Sequence, residues 1–203
     1  EPTKVSYFKG EELDPAGGKL RVSYNNETSR TIDITPSMIS GYNKDHLGNQ
    51  TVTISYGGKS ATFEVTVKEV EVSEITVAKK PTKAYTEGAN IIDLAGGEVQ
   101  VSYNNGESAP NLIDMAGKVR VSSVAEKNTD GTQGQIISQD DAGKYMLQKD
   151  KRYIVTIAWA DKPAVKAAYE ISVSAKEVSE ITVATEPTKV SYFKGEELDP
   201  AGG

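Results

Sequence analysis

Cysteine is absent from the 203-residue chain, and with it disulfides, thiol nucleophiles and thiolate zinc sites. The single histidine, His46, excludes a multi-histidine metal cluster. A basic excess is missing too. Lys and Arg number 23 against 29 Asp and Glu, a formal net charge of −6. Nucleic acid drops out as a partner, because no cationic surplus exists to displace counterions from phosphates. No apolar run approaches the roughly 18 residues of a membrane-spanning helix, so no membrane insertion is expected. No signal-peptide pattern stands at the N-terminus, and Glu1 opens in mid-pattern, so an excerpt of a longer chain is expected. The length suits about one and a half to two domains.

What the chain does have is repetition. Residues 186–203, EPTKVSYFKGEELDPAGG, reproduce residues 1–18 letter for letter. EVSEITVA stands at 71–78 and again at 177–184. A looser echo joins 2–26 to 81–105, which share Pro-Thr-Lys, an Asp, Ala-Gly-Gly and Val-Ser-Tyr-Asn-Asn. Thr51–Val67 likewise resembles Ile154–Val173. The expected organisation is repeat A at 1–72, a diverged and longer repeat B at 73–178, and the incomplete opening of a third repeat at 179–203. An identical stretch of this length implies recent duplication, hence a tandem array.

Apolar and polar residues alternate with period two, the signature of strands with one buried face. Leu20, Val22 and Tyr24 alternate with Arg21 and Ser23, and Val99, Val101 and Tyr103 repeat the pattern. Val52, Ile54 and Tyr56 correspond to Val155, Ile157 and Trp159; Phe63, Val65 and Val67 correspond to Tyr169, Ile171 and Val173. This is an all-β chain of antiparallel sandwiches, with about seven short strands in each repeat. Turn residues fall between the strands: Gly17-Gly18, Gly57-Gly58 and Asn104-Asn105-Gly106. Asn-Gly is expected to supply two positive-φ residues for a tight hairpin. Glu27 stands where repeat B has Gly106, so a different or longer turn is expected in repeat A. Pro36-Ser37-Met38-Ile39 suits one short helical turn. The extra length of repeat B, at about 108–153, reads as an added hairpin around Val119 and Val121 plus a polar loop.

One set of residues carries a family resemblance. Pro2-Thr3-Lys4, Tyr7, Gly10-Glu11, Leu13-Asp14 and Gly17-Gly18 are followed by Val22-x-Tyr24, Gly48-x-Gln50-Thr51-Val52-Thr53-Ile54-x-Tyr56 and Phe63-x-Val65-x-Val67. The pattern resembles the bacterial Ig-like domain, group 3. It covers nearly all of repeat A and both ends of repeat B (81–105 and 154–173). The resemblance implies tandem immunoglobulin-like sandwiches, beads on a string, in a large surface protein, often a wall-anchored adhesin of Gram-positive bacteria. It carries no catalytic site. In such modules the first strand precedes Pro-Thr-Lys. That strand would be Glu74–Val77 for repeat B and Glu180–Val183 for the third repeat, while repeat A would lack it. The tail's strand is then expected to pair with repeat A of another molecule or to dock on an edge of repeat B.

Candidate chemistry is sparse. Glu11-Glu12 and Asp140-Asp141 are adjacent carboxylates, which do not face each other across a cleft as a hydrolase needs. Glu126-Lys127-Asn128-Thr129-Asp130-Gly131 opens like a calcium loop, but Ile137 stands where the closing Glu belongs. Asn128, Asp130, Asp140 and Asp141 are therefore calcium candidates set against a plain polar hairpin tip, and no metal or other cofactor is favoured. Trp159 reads as strand packing rather than a sugar platform, and His46 as a turn residue. Asp141-x-Gly143-x-Tyr145 reads as a structural corner. Asn26-Glu27-Thr28 and Asn49-Gln50-Thr51 match glycosylation sequons by chance. A Lys–Asn or Lys–Asp isopeptide bond would need a buried lysine beside an acid.

The expected function is non-catalytic. Rigid repeats in series, joined by the Gly- and Pro-free segment Val70–Val77, would project a distal binding domain from the bacterial cell surface. The expected partners are neighbouring repeats, with a host glycan or protein as a further partner. The alternatives are a binding module at the repeat B insertion, or accessory modules of a secreted carbohydrate-active enzyme.

Overall fold

The alternating segments form strands, and the computed structural model, which describes residues 1–201, contains sixteen of them. In chain order they are β1 (Ser6–Phe8), β2 (Lys19–Ser23), β3 (Ser29–Asp33), β4 (Ile39–Ser40), β5 (Gly48–Tyr56), β6 (Lys59–Lys68), β7 (Val72–Lys79) and β8 (Tyr85–Thr86). Then follow β9 (Gly88–Asn90), β10 (Glu98–Tyr103), β11 (Ile113–Asp114), β12 (Val119–Lys127), β13 (Gln133–Ile137), β14 (Tyr145–Leu147), β15 (Arg152–Trp159) and β16 (Lys162–Ser174). Pro36–Met38 forms a 3-10 turn, with Pro36 at its start, where its fixed φ and missing N–H do no harm. The sheets run β1-β6-β5-β4, β2-β3, β11-β10-β7, β13-β12-β15-β16-β8 and β14-β9. Contacts divide the chain into two units. One comprises Glu1–Thr82, Leu94–Ser122 and Thr156–Tyr169; the other comprises Lys83–Asp93, Ser123–Val155 and the chain from Glu170 onward.

In the first unit the β5–β6 hairpin is the longest pairing, from Gly48 opposite Val67 to Tyr56 opposite Lys59. Gly57 and Gly58, at φ 58° and 72°, make its two-residue turn, whose twist matches that of the strands. Val52, Ile54, Phe63, Val65 and Val67 form a core with Tyr7 and Ile34. The outer face is polar: the Thr51 hydroxyl donates to Glu64 at 2.6 Å and the Thr66 hydroxyl to Asn49 at 2.7 Å. In the second unit Tyr85, Val124, Tyr145, Leu147, Tyr153 and Val155 are buried.

Two short pairings are parallel rather than antiparallel. Tyr7 in β1 lies opposite Val67 in β6, and Tyr85 in β8 opposite Val173 in β16. β1 and β8, the strands that follow Pro-Thr-Lys, each pair with the closing strand of their own repeat, and the long intervening chain permits the parallel sense. The Tyr7 hydroxyl donates towards the Lys4 carbonyl (2.8 Å) and the Asp14 carbonyl (3.1 Å), and accepts from the Asp14 N–H at 3.3 Å. Tyr85 accepts from the Asp93 N–H at 2.9 Å and faces the Asp93 carbonyl at 3.4 Å. Burial pushes both hydroxyls above the usual phenol range, so they stay protonated as donors. The Gly-Gly pairs that follow have two separate reasons. Gly17 and Gly96 take φ of 76° and 72°, whereas a Cβ on Gly97 would lie 2.6 Å from the Met115 sulfur and 2.9 Å from Pro81.

Two expectations are corrected here. The Glu27 turn is neither different nor longer than its counterpart. The Tyr24 N–H donates to the Thr28 carbonyl at 2.9 Å and the Glu27 N–H to Tyr24 at 3.2 Å; the Tyr103 N–H donates to Glu107 at 2.8 Å and the Gly106 N–H to Tyr103 at 3.1 Å. Glu27 adopts the left-handed φ of 64° that Gly106 adopts at 86°. Neither asparagine of either turn has a positive φ, so each hairpin closes through a type I turn and a single left-handed residue, not through two.

The tail also departs from expectation. Glu180–Val183 forms no strand and does not dock on an edge of repeat B: Ile181 is 88% and Val183 77% exposed. A strand without a neighbouring edge leaves its backbone groups to water. Residues 186–201 still keep the local geometry of residues 1–16. The Tyr192 hydroxyl accepts from the Asp199 N–H at 3.0 Å, the Phe193 N–H donates to Glu196 at 2.9 Å, and Lys189 pairs with Glu196.

Two substitutions check these points. Glu27→Gly removes a left-handed strain of about 1–2 kcal/mol and adds about 0.5–1 kcal/mol of chain entropy, so urea unfolding should show a net gain of about 0.5–1 kcal/mol. Tyr7→Phe keeps the ring and deletes the hydroxyl, and should cost about 1–3 kcal/mol in the same assay.

Candidate functional site

The most distinctive surface in the first unit is an open strand edge. β10 is flanked on both sides, by β11 and by β7, and Val99 and Val101 are fully buried. β2, its counterpart in repeat A, pairs with β3 alone among the described residues. Leu20 and Val22 are accordingly only half-buried, and Tyr24 is exposed. The gap is a groove of about 300 Å³, lined by Leu20, Val22, Tyr24, Ile54, Tyr56 and Lys59 among others.

Residues 69–71, between β6 and β7, are tied down within the same unit. The Asn104 side chain accepts from the Glu71 N–H at 3.0 Å and donates to the Glu69 carbonyl at 3.1 Å. The Asn104 N–H donates to the Glu71 carbonyl at 2.9 Å, and Lys162 pairs with the Glu71 carboxylate at 2.7 Å. Sequence reasoning missed this clasp. Its signal was the recurrence of Asn in both Val-Ser-Tyr-Asn-Asn stretches and of Glu in both EVSEITVA stretches.

The insertion contains the expected hairpin, β12 with β13. The calcium candidates occupy two turns, each built like that of Tyr24–Thr28. In the first, the Asn128 N–H donates to the Thr132 carbonyl at 2.9 Å, and the Asp130 carboxylate accepts from the Thr132 N–H at 2.9 Å and hydroxyl at 2.6 Å. The Thr132 hydroxyl and N–H hold Asp130 below the usual carboxylate range. In the second, the Asp140 carboxylate accepts from the Ala142 N–H at 3.0 Å and the Lys144 N–H at 2.8 Å; Asp141 is exposed. No group of three or more His, Asp or Glu able to hold a metal occurs among the described residues. Beside the first turn lies an open polar depression of about 940 Å³, lined by Glu126, Asn128, Asp130, Asp150, Lys151 and Arg152 among others.

The remaining candidates occupy structural positions. Glu11 pairs with Lys4 and caps the Phe8 N–H at 3.0 Å, while Glu12 pairs with Lys44. The His46 carbonyl and the Asn43 carbonyl accept from the buried Gln50 amide, which pins their loop. Tyr153, at the Gln50 position of repeat B, does similar work by accepting from the Gln148 N–H at 2.8 Å. Trp159 is half-buried at the end of β15. Tyr145 is buried in β14. The Thr28 N–H and hydroxyl donate to the Asn26 side chain, and Asn49 sits in β5. Gln50 is the one buried polar or charged residue among those described, so no desolvated lysine stands ready for an isopeptide bond.

The strands, tyrosine contact and core of Glu1–Val67 coincide with the stretch that matches the bacterial Ig-like domain (group 3). The match covers residues 1–67, about a third of the chain. Beyond the Ig-like domain itself, the chain is 23% identical over 199 residues, 98% of its length, to pectate lyase L of Thermoclostridium stercorarium. It is 30% identical over 129 residues, 61% of its length, to an exo-beta-1,6-galactobiohydrolase of Bifidobacterium longum subsp. longum. The chain spans only 15% and 8% of these curated relatives. Among solved structures, domains 4 and 5 of the S-layer protein SbsC align over 76% of this chain and 80% of theirs, at 14% identity and a TM-score of 0.28.

In the Ig-like domain Lys4, then the Phe8 N–H, hold the Glu11 carboxyl below the usual glutamate range. A depressed folded-state pKa contributes stability above the unfolded value of 4.5 and loses it as pH falls through the folded value. Glu11→Gln should therefore lower Tm near neutral pH, and the difference from wild type should shrink below about pH 4.5 in a thermal titration.

Proposed function

We propose that the chain is a non-catalytic spacer, made of consecutive Ig-like sandwiches of a larger extracellular protein that keep a carbohydrate-acting domain at a distance from its attachment. The clasp at residues 69–71 carries this reading. A linker meant only to connect would leave its backbone to water, whereas this one spends three hydrogen bonds and an ion pair on being held. The carbohydrate-acting neighbour is suggested by the names of the two relatives, of which a segment like this is a small share. The identical stretches 1–18 and 186–203 favour a wider form of the same role: a tandem array on a bacterial surface that projects the distal binding domain of an adhesin, anchored at the cell wall.

A second reading makes the insertion at 108–153 a binding module for a host glycan or protein. The open polar depression at the β12–β13 turn is the observation that favours it. The absence of cysteine makes the spacer role easy to test. Labels on Thr62→Cys and Lys166→Cys should report a narrow distance distribution, and Asn104→Ala with Lys162→Ala should broaden it. A wild-type distribution as broad as the variant's would remove the spacer reading. Sugar release from pectin or β-1,6-galactan by this chain would remove its non-catalytic part. Saturable glycan binding lost on deletion of 128–132 would favour the module.

A further inference from the structure

The turns at Tyr24–Thr28 and Tyr103–Glu107 share their closing hydrogen bonds but differ at the residue before the last. Asn26 is followed by Glu27, whereas Asn105 is followed by Gly106, and no other Asn-Gly pair stands in the chain. The main-chain nitrogen that follows an asparagine is a nucleophile for its side-chain amide, and glycine there has no Cβ to hinder the approach. We propose that Asn105–Gly106 is a self-modifying site, at which spontaneous deamidation to isoaspartate releases the clasp on residues 69–71.

In the first step the Gly106 nitrogen bonds to the Asn105 Cγ and the Cγ–Nδ2 bond breaks. Ammonia leaves, carrying the proton that Gly106 gives up, and a succinimide remains. Water entering at its main-chain carbonyl carbon leaves the chain joined through the side chain, as isoaspartate; entering at Cγ, it leaves aspartate. The turn is arranged for the first step. The Glu107 N–H donates to the Asn105 side-chain oxygen at 3.1 Å, where negative charge develops during attack. The Asn105 amide donates to the Glu107 carboxylate at 2.9 Å, which is placed to hold the departing ammonium. The Gly106 N–H is engaged by the Tyr103 carbonyl at 3.1 Å, so attack waits on the opening of that bond. Asn104, Gly106 and Glu107 are exposed, so the opening is local. Asn105 also lines a cleft of about 480 Å³ with Lys4, Lys9, Glu11, Val70 and Glu107 among others, which gives water a route to the succinimide.

Isoaspartate lengthens the main chain by one carbon between Asn104 and Gly106. Both bonds that close the turn involve this stretch, Tyr103 N–H to the Glu107 carbonyl and Gly106 N–H to the Tyr103 carbonyl. Asn104, directly before it, holds the Glu69 carbonyl and both main-chain groups of Glu71. A turn that no longer closes cannot keep Asn104 at that register. The aspartate product acts in the same direction, because it sets a second carboxylate against that of Glu107 where an amide had donated. The clasp therefore carries a timer whose rate is that of local turn opening. Asn26, in the same turn with Glu27 behind it, is the internal control. The modification stands by itself; its consequence for stiffness rests on the spacer reading.

Incubation at mildly alkaline pH of the 203-residue chain labelled at Thr62→Cys and Lys166→Cys gives both readouts. Peptide mapping should find isoaspartate at Asn105 first, and none at Asn26 over the same interval. The label distance distribution should broaden as isoaspartate accumulates. Gly106→Glu, which copies the Glu27 turn, should slow conversion about tenfold or more. Asn105→Ser, which keeps an oxygen for the Glu107 N–H, should abolish it. Both variants should hold, after incubation, the distribution of the fresh protein. Asn105 left intact, or converted no faster than Asn26, overturns the site. Isoaspartate at Asn105 with an unchanged distribution overturns the release of the clasp. A distribution already broad in the fresh chain removes the spacer reading instead, and the peptide map still decides the site.

Discussion

A tyrosine hydroxyl aimed back at the main chain is the constraint on which each opening segment depends. The residues that lead into Gly-Gly, 9–16 in repeat A and 91–95 in repeat B, lie in no strand, so their N–H and carbonyl groups need another partner. Tyr7 supplies it at Asp14 and Tyr85 at Asp93, while each ring fills the core beside the closing strand. A small sandwich has few large side chains to spend, and one that both packs and satisfies backbone groups serves it doubly. Tyr192 makes the same contact at Asp199 in the exposed tail, so the motif holds its shape locally, without a surrounding core.

Around that constraint the molecule reuses a short vocabulary. One three-residue turn recurs at Tyr24–Thr28, Tyr103–Glu107, Asn128–Thr132 and Asp140–Lys144, each with one left-handed residue before its last position. An Asx side chain satisfies the N–H groups in the last two, which accounts for the carboxylates that resemble metal ligands there. The acidic residues of the candidate sites are thus engaged in turns and surface pairs. What remains open among the described residues is backbone: the second edge of β2.

Strands with a buried face were legible because period-two alternation survives in Val52, Ile54, Phe63 and Val65 whatever surrounds them. The Ig-like assignment followed from the motifs of repeat A. The turn at Glu27 was not legible, because side-chain preference argued for Gly while the hairpin register of β2 and β3 imposed the left-handed conformation on Glu. Nor was the clasp, since Asn104 acts on main-chain atoms that carry no letter in the sequence. The tail was half legible: its letters matched β7, but whether it pairs depends on an edge outside the segment.

The parallel contact between β1 and β6 has one more consequence. Its hydrogen bonds join the opening strand of repeat A to its closing strand, with Ser6, Tyr7 and Phe8 beside Thr66, Val67 and Lys68. Tension applied to the two ends of the repeat would pull these strands in opposite directions along their own axes. The bonds between them would be loaded in shear and would have to break together, not peel one after another from an end. A repeat loaded in this way resists stretching at the seam between β1 and β6.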